Sequence, residues 1–323
     1  MSLEHLEART TEPSTVRARL VRAAQAAQQD GRVIPSVLFP VLVTFVLVAL
    51  VVNAGSGGVH VTPAQVIAIL LGRAGIDLDV AYTSQQDAVV WAIRLPRIVM
   101  AMLVGSGLAL AGAVMQGVYR NPLADPGLIG VSSGAALAAV AVILIGVAPL
   151  GTFTIPMAAF LGGMVAALAV YRIAVRGGRV EVITLILAGI GMNALAGAGI
   201  GLGTFLATDA QLRNIVFWSL GSLGGATWVG VGAMVPFALV GLIVVPWYGR
   251  ALNLLVLGER EARHLGLVVE RVRLQLIALA ALLTGAAVAL AGIVGFIGLV
   301  TPHIVRMVAG PDHRVLLPAS ALA

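Results

Sequence analysis

The chain has 323 residues, of which 59% are hydrophobic and only 11% are charged, and its mean hydropathy is +1.03. This composition excludes an ordinary water-soluble globular domain and leaves room for several membrane-spanning helices. The net charge of +6 comes from twenty arginines and no lysine, which excludes a phosphate-binding loop of the Gly-Lys-Ser/Thr type, and the lack of cysteine excludes disulfides and thiolate metal sites.

Long runs without a charged residue follow an arginine-containing tail, residues 1–32. A helix needs roughly 20 consecutive apolar residues to cross the hydrocarbon core of a bilayer. Strands of a membrane barrel would alternate between apolar and polar residues, whereas 41–52 is apolar on every face. We therefore predict one all-α, polytopic transmembrane helical bundle over 33–323, with about eight spans. The charge-free runs are 33–72, 98–119, 126–171, 182–208, 214–249 and 274–305.

Two of these runs contain residues that interrupt an apolar helix. Pro149, Gly151 and Pro156 lie inside the run 126–171, and two glycines lie near 292–295. Proline and glycine are the strongest local signals for a break between helices. Each of these runs is therefore predicted to hold two spans.

The arginines favour one orientation in the membrane. If the tail 1–32 is cytoplasmic and the spans alternate, sixteen of the twenty arginines fall on the cytoplasmic side, as the positive-inside rule expects. The tail has no signal-peptide cleavage pattern, so we expect an uncleaved cytoplasmic extension of a multi-pass protein of the bacterial inner membrane, surrounded by lipid. The arginines lie in short loops rather than on one patch, so nucleic acid is not an expected partner. The arginines left outside are Arg73, Arg94, Arg97 and Arg213.

The segment 94–135 contains small residues at helical spacing. Gly105, Ala109, Gly112 and Ala113 would let two helix backbones approach closely. Packing inside the bundle is the favoured interpretation of these residues.

A polar turn follows that helix. Asn121-Pro122 and Asp125-Pro126 should end the helix, because the residue before proline disfavours helical dihedral angles. The turn, which includes Leu123, is either a plain connector or part of a gate.

Arg94 and Arg97 lie three residues apart, so a helix would place them on one face at the outer mouth of a span. An exposed pair of cations suits a carboxylate partner. The alternative is that both side chains anchor the helix end among lipid headgroups.

The segment 250–273 mixes leucines with charged residues, and Gly258 and Gly266 interrupt it. This pattern predicts two short helices with a hinge, too charged for the bilayer core and apolar enough to fill a groove on a partner. The alternative is a helix that lies in the membrane interface.

Small residues also form a stripe on the predicted helix 182–206. Gly189, Asn193, Gly197 and Gly201 follow one another at four-residue steps. This face serves either tight packing or the wall of a wide passage, and Asn193 needs a partner if it is buried in a span.

Candidates for catalysis or metal binding are weak. None of the five histidines has a second ligand at four-residue spacing, and no nucleophile elbow is present. We predict a transporter rather than an enzyme, with no metal bound by the chain.

Long ordered motifs resemble the FecCD-type permeases, the iron-siderophore, haem and cobalamin uptake family of ABC importers. The resemblance covers nearly everything from about residue 35 onward. It rests on RLPR (94–97), LAGAVMQ…RNPLADPGLIGVSSGA (110–135), WSLGSLGGATW (218–228), LNLLVLGEREARHLGL (252–267) and GIVGFIGLVTPHIVRMVAGPDHRVLLPAS (292–320).

The resemblance implies an assembly in which two permeases, as two copies or as a copy and a paralogue, stand on two ATPase subunits that bind ATP and Mg. A periplasmic or lipoprotein substrate-binding protein would dock on Arg94 and Arg97, and 250–273 would couple to the ATPase. Passage or gate candidates are Asn121, Pro122, Leu123, Gly189, Asn193, Gly197 and Gly201. The coupling candidates are Leu252, Asn253, Leu255, Leu257, Gly258, Glu259, Ala262, Leu265 and Gly266.

The expected function is the permease subunit of an ATP-driven importer for iron-siderophore complexes or a related metal chelate, with haem or cobalamin as alternatives. The family pattern has ten spans, and this sequence is expected to lack the last two. An inactive truncated remnant therefore remains a rival. An ion-coupled secondary transporter is a second rival, although its expected intramembrane acids are missing from the spans.

Overall fold

The computed structural model describes residues 34–177 and 179–323, and the predicted cytoplasmic tail 1–32 lies outside them. A two-stranded antiparallel hairpin, β1 (Val175–Arg176) and β2 (Arg179–Val180), is the only sheet within these ranges, and the rest of the regular structure is helical. The helices are α1 (Pro35–Gly55), α2 (Pro63–Arg73), α3 (Ser84–Val89), α4 (Leu95–Tyr119), α5 (Val131–Ile145), α6 (Thr154–Ala174), α7 (Val182–Leu206), α8 (Asp209–Leu220), α9 (Trp228–Val244), α10 (Gly249–Leu257), α11 (Glu259–His264), α12 (Val269–Ala291), α13 (Ile297–Ala309) and α14 (His313–Leu322).

The predicted all-α class is confirmed. Six helical stretches of the described chain are long and apolar enough to cross a membrane. Three shorter apolar helices, α2, α5 and α13, accompany them. The described chain therefore offers between six and nine apolar helical stretches, and the prediction of about eight spans falls within this range. The six stretches are Pro35–Gly55, Ser84–Tyr119, Gly151–Ala174, Val182–Leu206, Trp228–Leu257 and Val269–Ala291.

A helix break occurs in both predicted runs, but in the first it begins at Gly146, before Pro149 and Gly151, and Pro156 lies inside α6. The run 126–171 divides at Gly146, which has a positive φ of 72° and ends α5. The run that ends at 305 divides at Gly292, where φ is also 72°. Glycine adopts these left-handed dihedral angles without a steric penalty, which explains why each helix ends there.

The centre of the bundle is built from α4 and α12, whose residues are mostly buried, whereas α1 and α7 are mostly exposed. Small residues permit this packing. A Cβ added to Gly112 of α4 would lie 1.7 Å from the carbonyl oxygen of Gly298 on α13. The same close approach brings Gly134 of α5 against Gly162 of α6. The packing interpretation of Gly112 is thus confirmed, whereas Gly105 faces open space.

At one end of the bundle, hydrogen bonds join the start of α9 to the segment before α4, and the loop between α8 and α9 to the end of α12. The indole nitrogen of Trp228 donates to the carbonyl oxygen of Trp91 over 2.9 Å, and the amide of Ser222 donates to Ala291 over 2.7 Å. We call this the Arg97 end. It holds Arg73, Arg94, Arg97 and Arg213.

The loops that follow α4, α6, α9 and α13 meet at the opposite end, which we call the Arg273 end. Arg273 donates to Val180, and Asn253 donates to Asp312 over 2.7 Å. The other arginines of the described ranges lie in or next to the segments that form this end.

Candidate docking, coupling and passage sites

At the Arg97 end, the two arginines of the RLPR motif have different surroundings. Arg97 is exposed, and its Nη2 donates a 3.1 Å hydrogen bond to the carbonyl oxygen of Gly224. Gly224 lies in the loop between α8 and α9, which the sequence did not pair with RLPR. Arg97 therefore presents a cation at the surface, and its Nη2 is held by the hydrogen bond to this loop.

Arg94 is buried, so the prediction of an exposed pair is wrong for this residue. Its guanidinium donates to the carbonyl oxygens of Ala54 and Val59, at and just beyond the end of α1. The physical reason is that the last carbonyls of a helix have no intrahelical donor and accept from a suitably placed side chain. Arg94 ends a π-helical turn, Val90–Arg94, that precedes α4.

A cavity of about 1010 Å³ lies between α1 and α4 beside both arginines. Phe45, Ile98 and Met102 line its apolar part. Most of the cavity wall is therefore apolar, and the two arginines line the part of it that lies at the Arg97 end.

At the Arg273 end, the predicted two short helices with a hinge are confirmed as α10 and α11. Gly258 separates them with φ of 121°, and a Cβ at this position would lie 2.5 Å from the carboxylate of Glu261. Only glycine fits these dihedral angles without strain. A second turn follows α11 at Gly266, which also has a positive φ.

The structure divides the coupling candidates into two groups. Leu252, Leu255, Gly258 and Ala262 are buried within the chain. Leu257 and Leu265, with exposures of 63% and 62%, and the exposed Gly266 face outward. The outward group also contains residues that the sequence did not single out, Val256 and Val268.

Asn253 faces a turn of its own chain. Its Nδ2 donates to the carboxylate of Asp312, and its Oδ1 accepts from the backbone amide of His313 over 2.9 Å. The hydrogen bond from Arg314 lowers the pKa of Asp312 below its usual range, and the bond from Asn253 adds to this effect. Asn253 therefore fixes α10 to the turn between α13 and α14.

Glu259 also binds within the chain, because its carboxylate pairs with Arg273 over 2.5 Å and with Arg263 over 3.3 Å. Two arginines thus hold this carboxylate within the chain, although its side chain is still 32% exposed. The pair with Arg273 was not predicted from the sequence.

The stripe on α7 does not face one environment. Gly189 is buried, and a Cβ there would lie 1.7 Å from the carbonyl oxygen of Leu128. Gly197 and Gly201 are exposed with open space beside them. At four-residue spacing an α-helix turns by 40° per step, so such a stripe drifts from one face toward another.

Asn193 lies half-buried between these positions, and its Oδ1 accepts a 2.7 Å hydrogen bond from the hydroxyl of Ser133 on α5. The need for a partner is thus met. The bond joins α7 to α5 between the packed Gly189 and the open Gly197.

The turn Asn121–Leu123 is exposed at the Arg273 end. The side chain of Asn121 accepts a 2.9 Å hydrogen bond from the amide of Leu123, which closes a local turn. Leu123 itself remains exposed beside it.

Within residues 34–177 and 179–323, no three His, Cys, Asp or Glu side chains gather in a way that could hold a metal ion. His313, for example, is buried and bonds to Asn253.

The sequence model of the FecCD transport family matches residues 44–323. The chain belongs to the FecCD transport family. This match spans both ends of the bundle and every candidate site described above.

Curated relatives of this FecCD-family chain agree with the assignment. The cobalamin import system permease protein BtuC of Halobacterium salinarum is 44% identical over 275 residues, which cover 83% of this chain and 70% of the relative. The hemin transport system permease protein HmuU of Yersinia pestis is 45% identical over 250 residues, 74% of this chain and 73% of the relative. An ABC transporter permease protein of Bacillus subtilis, YvrB, is 40% identical over 289 residues, 86% of this chain and 80% of the relative.

A solved structure described as an inward-facing conformation of a metal-chelate type ABC transporter has the same fold. Its TM-score is 0.76 at 31% sequence identity, over 89% of this chain and 86% of that one. The FecCD-family chain is therefore a multi-pass permease subunit of an ABC importer.

Proposed function

We propose that this permease imports an iron-siderophore complex or a related metal chelate, with haem and cobalamin as the alternative ligands. The support is the chemistry that the relatives' names share, since cobalamin, hemin and metal chelates are all large metal-containing ligands. The structural support is that α7 keeps an open face at Gly197 and Gly201, which suits a wide passage.

The proposed orientation places the tail and the Arg273 end in the cytoplasm of a bacterial inner-membrane protein. The Arg97 end would face the periplasm. The reason is the arginine asymmetry, because cytoplasmic loops accumulate Arg in membrane proteins of this kind.

The coupling surface proposed for the ATPase consists of Leu257, Leu265 and Gly266. These residues are exposed on one segment that the buried Leu252, Leu255 and Ala262 hold to the bundle. Exposed apolar residues on a segment that is packed against the bundle suit an apolar groove on a partner. ATP and Mg would bind to two separate ATPase subunits, and none of this cofactor chemistry is assigned to the permease.

The binding-protein surface is proposed around Arg97, with Arg94 behind it as its support. An exposed guanidinium at the mouth of the bundle would receive a carboxylate from a periplasmic or lipoprotein substrate-binding protein. Opposite charges across such a surface steer the encounter and fix the register.

A second permease, as an identical copy or a paralogue, is proposed to cover the open face of α7. Leu187, Leu195, Leu202 and Phe205 are exposed there. In a dimer, such faces would enclose the passage between the two chains, with Asn121–Leu123 at its cytoplasmic end.

The proposal is tested by purifying the permease with its candidate ATPase and reconstituting both in liposomes with the binding protein. We expect co-purification, and ATP hydrolysis that rises when the binding protein is loaded with a ferric siderophore. Uptake of radiolabelled iron, haem and cobalamin in parallel decides among the ligands. A permease that never retains the ATPase, or uptake that persists without ATP, would contradict the proposal.

A further inference from the structure

A buried arginine joins three elements at the Arg273 end. Arg273, on the first turns of α12, is only 2% exposed. Its Nη1 donates a 2.8 Å hydrogen bond to the carbonyl oxygen of Val180, and its Nη2 donates to the carboxylate of Glu259 over 2.5 Å. One guanidinium thus connects α12, β2 and α11.

The chemistry of this contact demands arginine. A buried charge is costly unless it is paired, as Arg273 is with Glu259, and the two Nη atoms of Arg273 carry its hydrogen bonds whereas its Nε has no partner among the described residues. The planar guanidinium offers donors in fixed directions, whereas a lysine ammonium is a single point of charge. Arg273 can therefore hold a carbonyl on one side and a carboxylate on the other at the same time.

Both partners lie next to moving parts of the proposed transporter. Val180 is buried and ends β2, two residues before α7 begins. Glu259 is the first residue of α11 and follows the exposed Leu257 by two residues. The hairpin and the coupling segment are therefore both hydrogen-bonded to Arg273.

Other contacts reinforce one side of this junction. Arg263 of α11 pairs with Glu259 and, over 2.6 Å, with Glu270 of α12. Among the hydrogen bonds of the described residues, none joins α11 directly to the hairpin or to α7. Arg273 is therefore the shortest polar connection between the coupling segment and the start of α7.

We propose that Arg273 is a positioning residue that makes α11, the β-hairpin and the start of α7 move as one body. A displacement that the ATPase imposes on the coupling segment then reaches the helix with the open face. This inference rests on the proposed function, because it takes α11 as the ATPase contact and α7 as a wall of the passage.

The test compares Arg273→Gln with Arg271→Gln in the complete transporter. Both variants lose one positive charge on the same helix, but Arg271 is exposed and serves as the control. We expect Arg273→Gln to retain the ATPase and its basal hydrolysis, while ligand transported per ATP falls about 10-fold. Arg271→Gln should match the wild type. Wild-type transport per ATP in Arg273→Gln would overturn the proposal.

A distance measurement separates positioning from simple stabilisation. The chain has no cysteine, so spin labels can be placed at His264→Cys on α11 and Ile183→Cys on α7, which are both exposed and lie outside the proposed coupling surface. With Arg273 present, the distance between the labels should be the same in nucleotide-free and ATP-trapped transporter. In Arg273→Gln it should differ between the two states, and an unchanged distance there would also overturn the proposal.

Two further results keep the outcomes distinct. If Arg273→Gln does not fold, Arg273→Lys takes its place, since it keeps the buried charge beside Glu259 but a single ammonium cannot reproduce the two fixed donor directions toward Glu259 and Val180. Normal transport per ATP in that variant would overturn the inference. Failure of the proposed function looks different, because the wild-type chain itself would then neither retain the ATPase nor transport the ferric siderophore.

Discussion

The guanidinium of Arg94 donates a 2.6 Å hydrogen bond to the carbonyl oxygen of Ala54, one residue before α1 ends. A cation at this position also interacts favourably with the negative end of the helix dipole. Arg94 therefore fixes the end of α1 from inside the protein. Three residues later, Arg97 points to the surface and is available to a partner.

This difference predicts separate effects for the two arginines. Arg94→Gln should lower the free energy of unfolding by about 1–3 kcal/mol, because the two carbonyls lose a charged donor. Arg97→Glu should leave unfolding nearly unchanged and abolish stimulation of ATP hydrolysis by the binding protein. Thermal unfolding in detergent and hydrolysis in liposomes measure the two effects.

Ionic strength provides the control for the proposed docking role of Arg97. The residual stimulation of a conservative Arg97→Lys variant, and that of the wild type, should both weaken as ionic strength rises, since exposed charges are screened. Full stimulation in Arg97→Glu would remove Arg97 from the docking surface.

Local signals in the sequence predicted that both runs break and located the break at Gly292, but not the one at Gly146. Gly146 and Gly292 end helices because their own dihedral angles require glycine, and this property belongs to single residues. The burial of Arg94 could not be predicted in the same way. Its partners, Ala54 and Val59, come from another helix end, and only the assembled bundle brings them to the guanidinium.

Two glycines of α4 provide a matched pair for stability. Gly112→Ala should destabilise the protein by about 3 kcal/mol, because the new Cβ would overlap the carbonyl oxygen of Gly298. Gly105→Ala should be neutral or stabilising by up to about 1 kcal/mol, since alanine favours a helix and the space there is open. Denaturant unfolding of both variants measures the difference. Equal stabilities would show that α4 and α13 do not approach as closely as described.

The coupling segment shows a second limit of the sequence. Its leucines recur at helical spacing, which predicted helices with a hinge at Gly258, but the spacing did not tell which leucines face the bundle. Leu255 packs inward because α10 lies against α4 and α14, whereas Leu257 is 63% exposed among the residues that the structure describes.

Aspartate at these two positions should therefore act differently. Leu257→Asp should fold normally and lose co-purification with the ATPase, because a charge replaces an exposed apolar contact. Leu255→Asp should destabilise the permease itself by about 3 kcal/mol or more, since its charge would be buried. Size-exclusion profiles and ATPase retention distinguish the two. A Leu257→Asp permease that binds the ATPase as well as the wild type would exclude this residue from the interface.

The contact between Asn253 and Asp312 gives a pH-dependent test. Asn253→Asp would place a second carboxylate where the amide now donates to Asp312 over 2.7 Å. Two carboxylates at this distance raise the pKa of the pair, because both cannot be charged without repulsion. A group whose pKa is raised in the folded state stabilises the protein when protonated, and this contribution is lost as the pH rises through that pKa.

Asn253→Asp should therefore be less stable than the wild type at about pH 8 and recover part of the loss at about pH 5, where one proton can be shared between the carboxylates. Asn253→Ala is the control, because it loses the bond to Asp312, together with the one from the His313 amide, without adding a charge. Its deficit should not shrink at the lower pH. Thermal unfolding of the three proteins at both pH values measures the difference. Parallel deficits for the two variants would mean that the side chain at 253 does not face Asp312, and α10 would then be held to the α13–α14 turn by packing alone.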